Sequence, residues 1–194
     1  VMYWVLGGCV VGTLLLIVPR MDLESPGEGI MATRAGTVTA VTADAIVVAA
    51  GSSTRMGGSD KLAAQIGGRP LLAWTLDALA RSTSVARIVV VAAAAKIPEI
   101  AGAAWLPDRV STVVAGGARR QDSVAAGVAA LADGPEHGVI LVHDGARPLV
   151  SADLVDAIAR AAAVHGAAIP VLPVVDTLKR VEDGRIAGTV ERSG

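Results

Sequence analysis

AIVVAAGSSTRMGGSDK, residues 45–61, joins a short apolar run to a loop of small and hydroxylic residues that carries two cations, Arg55 and Lys61. The run is rich in β-branched residues and lacks polar alternation, the pattern of a strand covered on both faces in a parallel sheet. In an open α/β sheet, ligands gather outside the carboxyl ends of such strands. The small residues of this loop let backbone amides approach phosphate oxygens, and Arg55 and Lys61 add positive charge, so the segment reads as a phosphate cradle. It is neither a Walker loop, having no Gly-Lys-Ser/Thr, nor a dinucleotide fingerprint, having no G-x-G-x-x-G spacing.

The same kind of run recurs outward along the chain. RIVVVA (87–92), STVVA (111–115) and GVILVH (138–143) read as further parallel core strands. Between them lie helix-length stretches with apolar residues at helical spacing: PLLAWTLDALARS (70–82), QDSVAAGVAALAD (121–133) and SADLVDAIARAAAVHG (151–166). Pro70 suits a first helical turn, Ser151 an N-cap and Gly166 a stop. Repeated β-then-α order implies right-handed crossovers and a doubly wound, mostly parallel α/β sheet. After Pro170 two β-like runs, about 174–181 and 186–190, flank EDGR, where Asp-Gly signals a β-hairpin. An apolar hairpin at the end of a domain needs cover, and a partner subunit is the economical source.

Composition narrows the function. The 194 residues are 53% hydrophobic and 18% charged, enough to bury a core. Lys+Arg 17 against Asp+Glu 18 leaves a net charge of -1, so no bulk positive field recruits nucleic acid or an acidic membrane. Aromatics are 2% with no Phe, which removes the platforms a base-stacking single-strand binder requires. The single cysteine, Cys9, permits no internal disulfide, and with three scattered histidines it builds no Cys/His zinc site. A reducing, cytoplasmic setting follows as the expectation.

Two more loops fall at the carboxyl ends of the expected strands. In AGGARRQDS (115–123), paired glycines allow close backbone approach and Ser123 sits near a helix start, while Arg119 and Arg120 read equally well as solvated surface charges. In HDGARP (143–148), Asp144 ends an apolar strand and must find a partner there. Arg147, three residues on, offers a structural ion pair; a magnesium-linked carboxylate facing the phosphate cradle is the functional alternative. His143 reads as packing or a hydrogen-bonded strand end, and His137 and His165 as surface residues. No G-x-S-x-G elbow, Cys/His nucleophile or close carboxylate pair is present, so cations with one carboxylate favour phosphoryl or nucleotidyl transfer.

Residues 1–19 carry no charge and approach the length of a membrane span. The preferred alternative is an upstream extension, since Met21 or Met31 can each begin a shorter chain. Residues 21–42 lack apolar periodicity and read as a linker, giving an extension and linker over 1–42, an α/β domain over 43–170 and a β-arm over 171–194.

VVAAGSSTRMGGSDK, GGARRQDSV, VHDGARPLV and PVVDTLKRV, in this order and spacing, resemble the 2-C-methyl-D-erythritol 4-phosphate cytidylyltransferases over about residues 44–194. The resemblance implies a Rossmann-like nucleotidyltransferase fold and cytidylyl transfer from CTP to a polyol phosphate, methylerythritol phosphate, with Mg2+ and release of pyrophosphate. By the same resemblance, Ala49, Ala50 and Gly51 meet the nucleotide, while Arg55 and Lys61 steady charge on the α-phosphate. Gly117 and Ser123 match positions that read cytosine, with Ala118 replacing a residue that is often acidic. Asp144 matches the metal and nucleotide carboxylate, and Gly145 lies beside the ribose. Arg147, Thr177 and Arg192 match the acceptor side, Arg192 also as a catalytic group, with Thr177 and Arg192 on an arm that reaches into the second subunit of a homodimer. Family members continue past the arm with a further strand, helices, a second metal-side Asp and a positioning Lys, so the resemblance implies an incomplete site and impaired turnover in these 194 residues. Ribitol 5-phosphate as acceptor and a catalytically silent nucleotide-binding or dimerisation fragment are the competing expectations.

Overall fold

A computed structural model describes residues 41–51, 60–132, 138–172 and 176–191, together with the backbone of residues 16–19. In chain order the elements are β1 (Leu16–Pro19), β2 (Ala43–Ala49), a small pair β3 (Gln65–Ile66) and β4 (Arg69–Pro70), α1 (Leu71–Ala80) and β5 (Val85–Ala92). A 3₁₀ turn, Ala94–Lys96, leads into α2 (Ile97–Ala101), followed by β6 (Val110–Ala115), α3 (Arg120–Leu131), β7 (Val139–Asp144) and α4 (Ala152–His165). β8 (Lys179–Glu182) and β9 (Arg185–Thr189) close the list. The chain divides into two compact units, one over Thr13–Pro170 and one holding the segment from Val171 onward.

In the first unit the strands run in the order β1-β7-β2-β5-β6. β7, β2, β5 and β6 are parallel, as their unalternated apolar runs require. Successive side chains point to opposite faces. Ala45 and Val47 of β2 join Leu72, Leu76, Val155 and Ala159 of α1 and α4 in one core cluster. Ile46 of the same strand joins Val89, Val91 and Leu131 in the other, on the α3 side. The sheet is therefore covered on both faces, as a doubly wound fold demands. Alanines and glycines set the close spacing: a Cβ at Gly127 of α3 would lie 2.5 Å from Ile46 Cγ2, so only glycine lets that helix approach β2. Ser151 caps α4 by accepting the Leu154 N–H at 3.2 Å, and Gly166 ends it with φ 83°.

The expected strands and the three long helices all form, with β2, β5 and β6 beginning one or two residues earlier and the helices ending one or two residues sooner than the sequence suggests. Three features go beyond the expectation, one of them the two-residue pair β3–β4. The segment 94–101 folds into a turn and a short helix. Leu16–Pro19, placed outside the α/β pattern by its sequence context, pairs antiparallel with β7, Leu16 opposite Val142 and Pro19 opposite Val139. The open edge of β7 presents unpaired backbone groups, and a short apolar run satisfies them. Among the described residues no helix is long and apolar enough to cross a membrane.

The second unit contains the expected hairpin. β8 and β9 pair antiparallel around Asp183 and Gly184, whose φ values of 47° and 73° are both positive, as a type I′ turn requires. Val181 and Ile186 face each other across it, 59% and 69% exposed.

Candidate active site

The chain passes from β2 outward to β5 and β6, then returns to the other side of β2 to form β7. That reversal is a topological switch point, where a crevice opens at the carboxyl ends of the strands. β2 and β7 end side by side there, with Val48 opposite Asp144.

Asp144 is held by two arginines. Its Oδ1 accepts a hydrogen bond from Arg120 Nη1, and its Oδ2 accepts one from Arg147 Nε at 2.8 Å. Burial pushes the Asp144 carboxyl up, but the two guanidinium groups outweigh it and hold the group below its usual range. The carboxylate is ionised and carries one cation more than it can neutralise, so the crevice retains positive charge suited to phosphate. The backbone beneath is fixed on both sides: Gly145 N–H donates to the Val48 carbonyl at 2.9 Å, and the buried Thr75 hydroxyl of α1 donates to the Gly145 carbonyl at 2.8 Å.

His143 lies on the face opposite Asp144. It is fully buried, and neither ring nitrogen has a hydrogen-bond partner among the described residues. Burial, opposed by the charge of Asp144, pushes its pKa down to about 4, leaving the ring neutral at pH 7. Of the two expectations for His143, packing is what the structure shows.

The glycine-rich loop after β6 meets the first loop directly. A Cβ at Gly116 would stand 2.4 Å from Ala50 Cβ and 2.7 Å from Ser123 Oγ, so a side chain here would drive the two loops apart. Ser123 is buried, and its hydroxyl accepts the Gly117 N–H at 3.2 Å, shaping the loop from within. Asp122 caps the start of α3 by accepting twice from Arg119: Arg119 N–H donates to Oδ2 at 3.1 Å and Arg119 Nη2 to Oδ1 at 2.8 Å. These contacts with Arg119 lower the Asp122 pKa. Arg120, the first residue of α3, is thereby set to reach Asp144. The sequence leaves Arg119 and Arg120 as equivalent surface charges, and the fold separates them into a cap and a site residue.

In the first loop, Ala49 is nearly buried, Ala50 half-buried and Gly51 exposed. Arg55 lies outside the described residues. Asp60 closes the loop by accepting the Leu62 N–H at 3.0 Å. Lys61 is exposed and makes no ion pair among the described residues. The neighbouring Leu62 carbonyl accepts the Leu72 N–H at 3.2 Å, and Leu72 Cδ1 would be 3.2 Å from a Cβ at Gly145. This chain of contacts brings Lys61 to the same end of the sheet as Asp144. A cleft of about 140 Å³ opens beside Ala49, with Leu72, Trp105, Lys96 and Glu99 in its lining. Thr177 is exposed in the second unit, and Arg192 lies outside the described residues.

Two residues of this site escape sequence reasoning. Thr75 leaves one trace, a hydroxyl on the apolar face of a helix. Arg120 leaves its position, the first helical residue after a double-glycine loop at a strand's carboxyl end.

This geometry agrees with what comparison finds. The family model for IspD, 2-C-methyl-D-erythritol 4-phosphate cytidylyltransferase, matches residues 43–194. The cytidylyltransferase of that name from Frankia casuarinae is 44% identical over 153 residues, 77% of this chain and 56% of the relative. Among solved structures, the 4-diphosphocytidyl-2C-methyl-D-erythritol synthase of Anaerococcus prevotii superposes with a TM-score of 0.66 at 28% identity, covering 78% of this chain and 65% of that one. The 2-C-methyl-D-erythritol 4-phosphate cytidylyltransferase of Thermus thermophilus gives 0.53 at 37% identity, covering 79% and 64%. The chain thus spans less than two thirds of the length of each of these relatives. A match over the whole α/β unit and the hairpin places this chain in the 2-C-methyl-D-erythritol 4-phosphate cytidylyltransferase family.

Proposed function

We propose that the chain carries the nucleotide side of a cytidylyltransferase that moves the cytidylyl group of CTP onto 2-C-methyl-D-erythritol 4-phosphate. A phosphate oxygen of the acceptor attacks the α-phosphorus of CTP, the bond to the β-phosphate breaks, and pyrophosphate leaves. The observation that carries this reading is the anchored, doubly paired Asp144 at the switch point, at the same end of the sheet as the exposed Gly51 and as Lys61, which makes no ion pair among the described residues.

In this reading the 49–51 backbone lies along the phosphates, and Arg55 and Lys61 offset the charge that gathers on the α-phosphate. Gly117 and the loop held by Ser123 receive the cytosine, and Gly145 borders the ribose. Arg147, Thr177 and Arg192 orient the acceptor phosphate, so binding energy goes into alignment of the reacting atoms. Asp144 fits a divalent cation as one ligand among waters and substrate phosphates, because it is ionised and only partly buried. Mg2+, when bound, supplies positive charge to the phosphates. The exposed Val181–Ile186 pair supports a homodimer in which the 171–194 arm, distinct from the 43–170 catalytic domain, packs on a second copy. The single cysteine supports a cytoplasmic setting.

The test is CTP binding by calorimetry with Mg2+, against ATP and GTP, followed by pyrophosphate release with methylerythritol phosphate or ribitol 5-phosphate as acceptor. CTP should bind most tightly, and release should require methylerythritol phosphate. Equal affinity for the three nucleotides removes the cytosine assignment, preference for ribitol 5-phosphate changes the acceptor, and binding without release leaves a nucleotide-binding unit.

A further inference from the structure

Asp144 carries two guanidinium groups where charge balance requires one. The Arg147 contact is local: it lies three residues on, its N–H donates to the Asp144 carbonyl at 3.2 Å, and its Nε meets Oδ2. Arg120 comes from 24 residues away on a different element and meets Oδ1. Its side chain is 44% exposed and has no second acceptor among the described residues. Its neighbour Arg119, equally charged, is committed to Asp122.

A divalent cation and a guanidinium on the same Oδ1 compete, because both draw on its lone pairs and their positive charges repel. We infer that Arg120 is a placeholder for the cation: it occupies Asp144 Oδ1 in the nucleotide-free chain and yields it when the triphosphate arrives. This rests on the proposed cytidylyltransferase reading. The triphosphate offers the freed guanidinium a bidentate phosphate acceptor, so the exchange replaces one charged hydrogen bond with another of equal or greater strength. Arg120 is then a positioning residue that couples cation entry to nucleotide entry, and the two ligands bind with a reciprocal coupling. Without nucleotide, Asp144 is blocked and the cation binds weakly.

The experiment titrates Mn2+ alone into the full chain, reading free Mn2+ by electron paramagnetic resonance. Arg120→Gln should bind Mn2+ about tenfold more tightly than the unaltered chain, and CTP should enhance Mn2+ affinity about tenfold less in the variant. Arg119→Gln removes the same charge one residue away and should stay within twofold of the unaltered chain. Arg120→Lys, which keeps the charge without the fork, should fall between. Asp144→Asn in the Arg120→Gln chain should abolish the gain. No gain in either Arg120 variant overturns the inference, and an equal gain from Arg119→Gln overturns it in favour of bulk charge. A gain that survives Asp144→Asn overturns the placement on Asp144. Calorimetry with CTP separates the two levels: a chain that binds CTP with Mn2+ but shows no Arg120 effect refutes the placeholder alone, whereas a chain that binds no CTP refutes the functional reading beneath it.

Discussion

Two carboxylate–arginine clusters stand at opposite ends of the same parallel sheet. At the amino ends of β2 and β5, Asp44 lies beside Arg87 in register, and the pair is bidentate, Nε to Oδ1 at 3.0 Å and Nη2 to Oδ2 at 2.8 Å. Arg87 also donates to the Leu131 carbonyl at 3.2 Å, and the Asp44 and Arg87 side chains are 2% and 14% exposed. At the carboxyl ends, Asp144 is 23% exposed with arginines that are 44% and 36% exposed. The chemistry is the same and the roles differ, because burial differs. A largely buried carboxylate and guanidinium in register across two strands pin strand to strand. One carboxylate against two open guanidinium groups keeps spare positive charge for a ligand.

The buried cluster should respond most strongly to mutation. Asp44→Ala removes the bidentate link between β2 and β5, and breaking a largely buried pair of this kind should cost about 3–5 kcal/mol. Urea unfolding measures it, and a loss under about 1 kcal/mol, the scale of an exposed pair, would make the two clusters alike.

His143 offers a second contrast, buried beneath the open end. Its folded pKa of about 4 lies below the value of 6.5 for an unperturbed ring. The unfolded chain therefore binds the extra proton between those values, so stability is complete above about pH 6.5 and falls as pH drops toward 4. The slope approaches about 1.4 kcal/mol per pH unit. Urea unfolding at neutral and mildly acid pH should show it, and His143→Leu should flatten the profile over that range. The profile of Asp156 lies lower. Its carboxylate accepts the Ser82 hydroxyl, the Thr83 hydroxyl at 2.7 Å and the Ser84 N–H at 2.9 Å. Burial raises its pKa, but these bonds outweigh burial and depress it. Its stabilisation is present above the unfolded value of about 4 and is lost only at more acid pH.

Lys61→Ala tests the ligand side of the open end. Loss of this cation, which makes no ion pair among the described residues, should weaken CTP binding about tenfold, the scale of one charge-assisted phosphate contact. Calorimetry in low salt reads it, and unchanged affinity would remove Lys61 from the cradle. Arg120→Gln should have the smallest effect on folding, under about 1 kcal/mol, because its pair is exposed to solvent. A loss as large as that of Asp44→Ala would turn the open cluster into a second pin.

What the sequence alone determined was periodicity and punctuation. AIVVAA, RIVVVA and GVILVH have only one way to bury themselves, between helices in a parallel sheet, and Asp183-Gly184 has one economical turn. Asp144 could be singled out because a carboxylate ending such a strand must find a partner. Which partner it finds was decided by tertiary structure: Arg147 is local and visible, whereas Arg120 is brought in by the approach of α3 to β2 across Gly127 and by the cap that turns Arg119 away. Thr75 on Gly145, Asp44 on Arg87 and Leu16–Pro19 on the edge of β7 are of the same kind. Local pattern fixes which face a residue presents, because backbone geometry sets it. The group that meets that face depends on how distant elements pack, and no local rule of spacing encodes it.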